Sequence, residues 1–149
     1  MKPTVLVIDD NEATRTLMTA LLQRDYAVET AMDGTEAIEK LRTKQYGCTL
    51  LDLRMPQQDG FAVLDFLKEN NPDRLKTVLV VTALLTKRET DRANAYGVCG
   101  IIGKPFDVEE LAEAVKGCVS DGNSGALDVF CSTPVILLIA DLLRQFQPR

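Results

Sequence analysis

Four stretches of this chain end an apolar run, or follow one closely, with a residue able to do chemistry. Asp9 and Asp10 follow VLVI, Asp52 follows TLL, Thr82 follows VLVV, and Lys104 stands just ahead of Pro105. Three carboxylates brought within several ångströms repel one another and raise each other's proton affinity, so a site made of Asp9, Asp10 and Asp52 calls for a divalent cation. Mg2+ is the natural choice, because it is hard, takes oxygen ligands and binds through one or two carboxylates plus waters and phosphate oxygens. A cation held there prepares the site for an incoming phosphoryl group. The question is what would bring residues so distant in sequence together.

The patterning supplies an answer. Continuous aliphatic runs at 5–8, 48–51 and 77–81, with shorter strand candidates at 27–31 and 99–102, alternate with helical spacing. One helix is read around 17–22. Ala37, Ile38 and Leu41 share a face in 36–44, and Phe61, Leu64 and Leu67 share one in 59–70, which Asn71-Pro72 closes. A polar helix over 86–96 ends at Gly97, and Asp107 caps a last amphipathic helix running to about Cys118. Unbroken apolar strands separated by helices imply an α/β fold whose parallel sheet is covered on both faces. In such open sheets, ligands bind beyond the carboxyl ends of the strands, where all five polar groups lie.

Composition narrows the class. The chain has 149 residues, 46% hydrophobic and 26% charged, enough for one domain with a real core plus an appendage. A net charge of -5 argues against a grip on nucleic acid, which needs clustered Lys and Arg, and points to protein partners. Cys48, Cys99, Cys118 and Cys131 form no C-x-x-C pair and there is no histidine, so a zinc site is not expected and a reduced, cytoplasmic interior is the simpler reading. The N-terminus MKPTVLVIDD lacks the pattern of a signal peptide.

The acid pair Asp9-Asp10, the segment LLDLRMPQQDG, the VVTA around Thr82 and the GKPF around Lys104 closely resemble the receiver domain of bacterial two-component response regulators. The likeness covers roughly residues 3–119, with four motifs in family order. It implies a flavodoxin-like doubly wound sheet of five parallel strands in the order 2-1-3-4-5. It also implies that Asp52 is the phospho-acceptor, attacking a phosphohistidine on a histidine kinase or phosphotransfer protein. Asp10 and Asp52 would hold Mg2+ with the backbone carbonyl of Arg54, and Asp9 would act mainly through water. Lys104 would anchor the acyl phosphate, and the Thr82 hydroxyl would swing toward it as a switch. The family's turn after the lysine makes Lys104-Pro105 a candidate cis peptide, the kind of bond where cis costs little.

Structural roles compete at each position. Asp9-Asp10 followed by Asn11 and Glu12 reads equally as a helix cap, Thr82 as a strand end and Lys104 as a solvated charge. Met55-Pro56 shapes a loop, and Asp59-Gly60 opens a helix. Two departures from the family pattern matter. Ile101 occupies the position, three before Lys104, where receivers usually carry Tyr or Phe, and a branched aliphatic cannot perform the ring rotation of that switch. Arg54 and Leu84, two past Asp52 and Thr82, should flank the path of a water attacking the acyl phosphate, so replacing Arg54 with Asn should change its lifetime. Alternatively, Arg54 pairs with a nearby acid and does nothing more.

The tail reads as a flexible linker at 120–125 followed by an amphipathic sixth helix in 126–149. Thr133-Pro134 caps that helix, with Val135, Leu138, Ile139, Leu142 and Phe146 on one face. Its apolar run is shorter than the ~20 residues a membrane span needs. The stripe favours a homodimer, the alternative being the start of a longer parent protein. Three functional classes follow: a phosphorylatable receiver, a phosphorylation-independent dimerisation module of the same fold, and a Mg2+-dependent phosphohydrolase. The last typically wants a second aspartate where Arg54 stands. With no histidine and no G-x-x-x-x-G-K-[ST] loop, the chain is not expected to phosphorylate itself from ATP, nor to be an enzyme beyond turnover of its own acyl phosphate.

Overall fold

Val5 and Val7 point to one side of a parallel sheet and Leu6 and Ile8 to the other, and each side has its own buried layer. The computed structural model describes residues 2–56, 59–83 and 86–123. The chain alternates β1 (Thr4–Ile8), α1 (Glu12–Leu22), β2 (Ala27–Ala31), α2 (Gly34–Thr43), β3 (Cys48–Leu51), α3 (Gly60–Asn70), β4 (Val78–Thr82), α4 (Lys87–Ala95), β5 (Gly100–Gly103) and α5 (Val108–Asn123), with a 3-10 turn at Pro72–Thr77 before β4. The strands are all parallel in the order β2-β1-β3-β4-β5, the expected doubly wound order. Because both faces are covered, the inner strands read as continuous apolar runs rather than alternating ones.

One layer joins Leu6, Ile8, Leu51 and Val80 to Ala37 and Leu41 of α2, Leu64 and Leu67 of α3, and Ala93 of α4. The other joins Val5, Val7, Leu50, Leu79 and Val81 to Met18 and Leu22 of α1 and Leu111 and Val115 of α5. Helix starts are set locally. Asn11, Asp33, Asp59 and Thr86 cap α1 to α4, each side chain accepting a hydrogen bond from an amide three residues on. Asn11 and Asp33 lie three and two residues past the ends of β1 and β2, which keeps those loops short, whereas Asp59 lies eight past Leu51 at the end of β3.

Two expectations are corrected. Cys99 and Cys118 form a disulfide, so the reading of reduced cysteines fails for this pair; Cys48 is free and buried. Sequence spacing gave no hint, because the two meet only when α5 packs back across the sheet and brings their Cα atoms to 6.1 Å. The final helix also runs past Cys118 to Asn123, carrying helix into the stretch read as a linker. A turn already packed against the core propagates cheaply, which outweighs the weak propensities of Ser120, Asp121, Gly122 and Asn123. The expected helix in 126–149, its dimer stripe, Cys131 and Leu84 lie outside the described residues. Among the described residues, no helix is long and apolar enough to cross a membrane.

Candidate functional site

Parallel register places the ends of β1, β3 and β4 side by side: Ile8 pairs with Leu51, and Leu51 with Val80. The next residues therefore emerge at one rim. The Asp52 amide donates to the Ile8 carbonyl at 3.0 Å and the Asp9 amide to the Ala31 carbonyl at 3.1 Å, which carries the sheet's bonding one step beyond the strands. Asp9 and Asp52 are buried, at 1% and 6% exposure, whereas Asp10 faces solvent. One carboxylate oxygen from each of the three lies within 4.8 Å of the others.

Lys104 completes the cluster from the far edge. Its amide donates to the Thr82 carbonyl at 2.8 Å, which ties it to the end of β4. Its ammonium donates to Asp9 Oδ2 at 2.5 Å and to Asp52 Oδ2 at 3.3 Å. The Lys104-Pro105 bond is cis. Each acid's other oxygen is held by backbone: the Asn11 amide donates to Asp9 Oδ1 at 2.9 Å, and the Arg54 amide to Asp52 Oδ1 at 3.0 Å. Such charge-assisted bonds fix the carboxylates without using up their remaining lone pairs.

The electrostatics are strained in a useful direction. Burial pushes the Asp52 carboxyl above the ordinary aspartate range, and the Asp9 charge adds to it; the Arg54 amide and the Lys104 ammonium offset this only in part. Burial alone would lower the Lys104 ammonium, but its hydrogen bond to Asp9 and the Asp52 charge outweigh that and leave it raised. Lys104 therefore stays charged at neutral pH. Thr82 is fully buried, and its Oγ1 is the one buried side-chain polar atom among the described residues with no hydrogen-bond partner. A buried hydroxyl left unpaired costs about 1–3 kcal/mol.

The structure thus brings Asp9, Asp10, Asp52 and Lys104 into contact range and sets Thr82 beside Lys104 through the backbone. Ile101 is not at this rim. It pairs with Val80, two steps down β5 from the level of Thr82 and Gly103, and packs half-buried against the layer under α3 and α4. Tyr96, at the end of α4, donates its hydroxyl to Asp65 and packs against Phe61. The Arg54 side chain turns away from Asp52 and pairs with Glu89 at 3.2 Å, the acid partner considered as its alternative role.

Two contributors were not read from the sequence. Gly60 was taken only as a helix start, but a Cβ there would lie 2.5 Å from the Asp52 carbonyl oxygen and 2.7 Å from Leu53 Cα. The D-G pair marked a helix start, and nothing in it signals a close approach of main chain to main chain. Arg15 of α1, for which the sequence suggested no role, donates to the Asp9 carbonyl at 2.7 Å.

Comparison with known proteins gives one family. Residues 5–116 match the family model described as the response regulator receiver domain. The chain is 32% identical over 114 residues to hybrid signal transduction histidine kinase D of Dictyostelium discoideum, covering 76% of this chain and 7% of that protein. It is 28% identical over 122 residues to the polar-differentiation response regulator DivK of Brucella anthropi, covering 81% of this chain and 99% of DivK. Among solved structures it is similar to response regulator TrrA of Thermotoga maritima, described in complex with Mg2+ and BeF, at TM-score 0.69 and 29% identity over 79% of this chain and 99% of that one.

Proposed function

The chain belongs to the response regulator receiver family, and from that premise we propose that Asp52 accepts a phosphoryl group from a phosphohistidine of a histidine kinase or phosphotransfer protein. Receiver domains are signalling modules rather than enzymes with a separate substrate. The observation that carries the proposal is the convergence of Asp9, Asp10 and Asp52 within 4.8 Å, with the Lys104 ammonium on two of them.

In the proposed step, an Asp52 carboxylate oxygen forms the new P–O bond while the donor's P–N bond breaks, its electron pair staying on the imidazole, which takes a proton from solvent. Transition states of this kind are loose, so the protein's work is positioning and charge compensation. The Arg54 amide and the Ile8 carbonyl fix Asp52, and burial removes competing water from it. Lys104 gives up part of its contact with the acids to meet the phosphoryl oxygens, and the unpartnered Thr82 hydroxyl donates to one of them. That bond draws the end of β4 inward and moves the surface of α4 and β5.

The donor set fits Mg2+: three hard carboxylate oxygens within reach of one ion, one of them on a solvent-facing residue that leaves room for waters. Asp10 and Asp52 would hold it with the Arg54 carbonyl, and Asp9 would act through water. When bound, it neutralises charge on the phosphoryl oxygens. The similarity to TrrA, described with Mg2+ and BeF, supports this assignment.

Incubation with Mg2+ and acetyl phosphate, followed by intact mass, tests the reading. The expected result is one phosphoryl mass on the wild type and none on Asp52→Asn. A gain in both would move the acceptor elsewhere, and a gain in neither would end the proposal.

The runner-up is an interaction module that keeps the pocket but signals without phosphorylation, favoured by the aliphatic Ile101 in β5. An unchanged α4 and β5 in a fully phosphorylated sample would select it. The proposed partners are a phosphohistidine protein and a second copy bound through residues 126–149. Light scattering with and without those residues checks the latter, and a monomer in both cases removes it. A cytoplasmic location goes with such a kinase partner, and there the Cys99–Cys118 bond would face reducing thiols.

A further inference from the structure

Between the acceptor loop and α4 lies an open groove of about 720 Å³ lined by Arg54, Asp59, Phe61, Thr86, Glu89 and Arg92, among others. Two arginines cross it in opposite directions. Arg54 reaches from the loop to Glu89 of α4, and the Arg92 guanidinium reaches from α4 over the Phe61 ring of α3, 3.8 Å from its centroid.

Glu89 is unusual in how its two oxygens are used. Oε2 accepts from the Thr86 hydroxyl at 3.3 Å, and Thr86 Oγ1 in turn accepts from the Glu89 amide at 3.2 Å, so the carboxylate is part of the cap that starts α4. Oε1 accepts from Arg54 Nη2 at 3.2 Å. The residue whose amide fixes the Asp52 acceptor thus has its guanidinium fixed by the first turn of α4.

We infer that Glu89 is a positioning residue for the acceptor site: it parks Arg54 on α4, and a phosphoryl group on Asp52 takes Arg54 from it, untying the first turn of α4 from the acceptor loop. The inference rests on Asp52 being the acceptor. An acyl phosphate brings about 1.5–2 negative charges and several strong acceptor oxygens, against the single charge of Glu89. A guanidinium suits it better than a lone carboxylate, because the fork can bond two phosphoryl oxygens at once. The exchange is cheap, since an exposed ion pair such as Arg54–Glu89 is worth little. Arg92 on Phe61 holds the later turns of α4, so only the first turn, which follows the loop from Thr82, is released. This gives α4 a signal that does not need an aromatic ring at Ile101.

The phosphoryl lifetime tests it, because Arg54 on the phosphoryl oxygens anchors the group and screens it from water. Glu89→Gln frees Arg54 and keeps a side chain that can cap the helix. It should lengthen the half-life of the Mg2+- and acetyl-phosphate-loaded protein by about two- to fivefold, the factor carried by an exposed pair. Glu89→Asp should fall between, and Arg54→Gln should shorten the half-life. In the Arg54→Gln background, Glu89→Gln should change nothing, because Glu89 acts only through Arg54. Amide exchange at Arg88 to Asp91 should speed up on phosphorylation in the wild type and not in Arg54→Gln. A Glu89→Gln effect equal in both backgrounds, a shorter half-life, or no change in half-life or exchange overturns the inference alone. No phosphoryl on the wild type overturns it together with the acceptor assignment.

Discussion

Gly60 lies directly against the main chain of Asp52: its amide donates to the neighbouring Leu53 carbonyl at 3.1 Å, and a side chain at 60 would collide with the Asp52 carbonyl oxygen. The first residue of α3 is thereby a template for the loop that carries the proposed acceptor. Backbone atoms held by sheet bonds on their other side cannot step aside as a flexible side chain would.

Gly60→Ala should therefore cost about 1–3 kcal/mol in chemical denaturation, the usual range for overpacking, and sharply reduce labelling by acetyl phosphate. Asp59→Ala removes the α3 cap, at about 1 kcal/mol, but leaves the loop contact and should keep labelling. Equal labelling of Gly60→Ala and the wild type would show that the contact does not position Asp52.

Stability should carry the mark of the buried Asp52. Its carboxyl titrates above the ordinary value of about 3.9, chiefly through burial, so between those two values the folded chain holds a proton that the unfolded chain has lost. By linkage, its contribution makes stability fall as pH rises through that window. Asp52→Asn should lack this step and be the more stable protein at pH 7. A wild type at least as stable as Asp52→Asn at pH 7 would contradict the assignment of Asp52 as a strained, charged group.

A divalent cation should relieve the same strain. Mg2+ at a hundredfold excess over its dissociation constant should stabilise the wild type by about 2.7 kcal/mol, seen as a rise in melting temperature. Asp10→Asn, an exposed change that should leave the fold intact, should abolish most of that rise. The same rise in both proteins would mean the ion binds elsewhere.

The disulfide between Cys99 and Cys118 closes a loop of sequence separation 19 and should contribute about 3 kcal/mol, lost on reduction. A Cys99→Ala/Cys118→Ala variant should be insensitive to reductant. Burial pushes the Cys48 thiol up to about 12, so alkylation of the native protein should leave it unmodified. Identical denaturation of the wild type with and without reductant would remove the bond from the account of stability.

The alternation of strands and helices was legible because both sheet faces are buried, and that leaves an unmistakable run of aliphatics in β1, β3 and β4. Asp9, Asp10, Asp52, Thr82 and Lys104 were legible as a group because each sits at the same end of its strand, and a parallel sheet turns that shared position into proximity. What stayed hidden depends on distance across packed layers. Gly60 looks like any turn glycine, Glu89 like any acid in a helix's first turn, and Cys99 and Cys118 like unrelated thiols until α5 closes over β5. The orphaned state of Thr82 Oγ1 is likewise a property of its neighbours and not of its own sequence context.

Lys104 and Asp9 touch across 95 positions of chain, from beyond the fifth strand to the end of the first. A nascent or half-refolded molecule without its last strand therefore has the acids but not the cation that sits between them, and its Asp52 loop lacks the edge that closes the rim. Competence to take a phosphoryl group should thus arrive late in refolding, after bulk helix signal has recovered. On the proposed function, the topology itself would keep an immature chain from signalling.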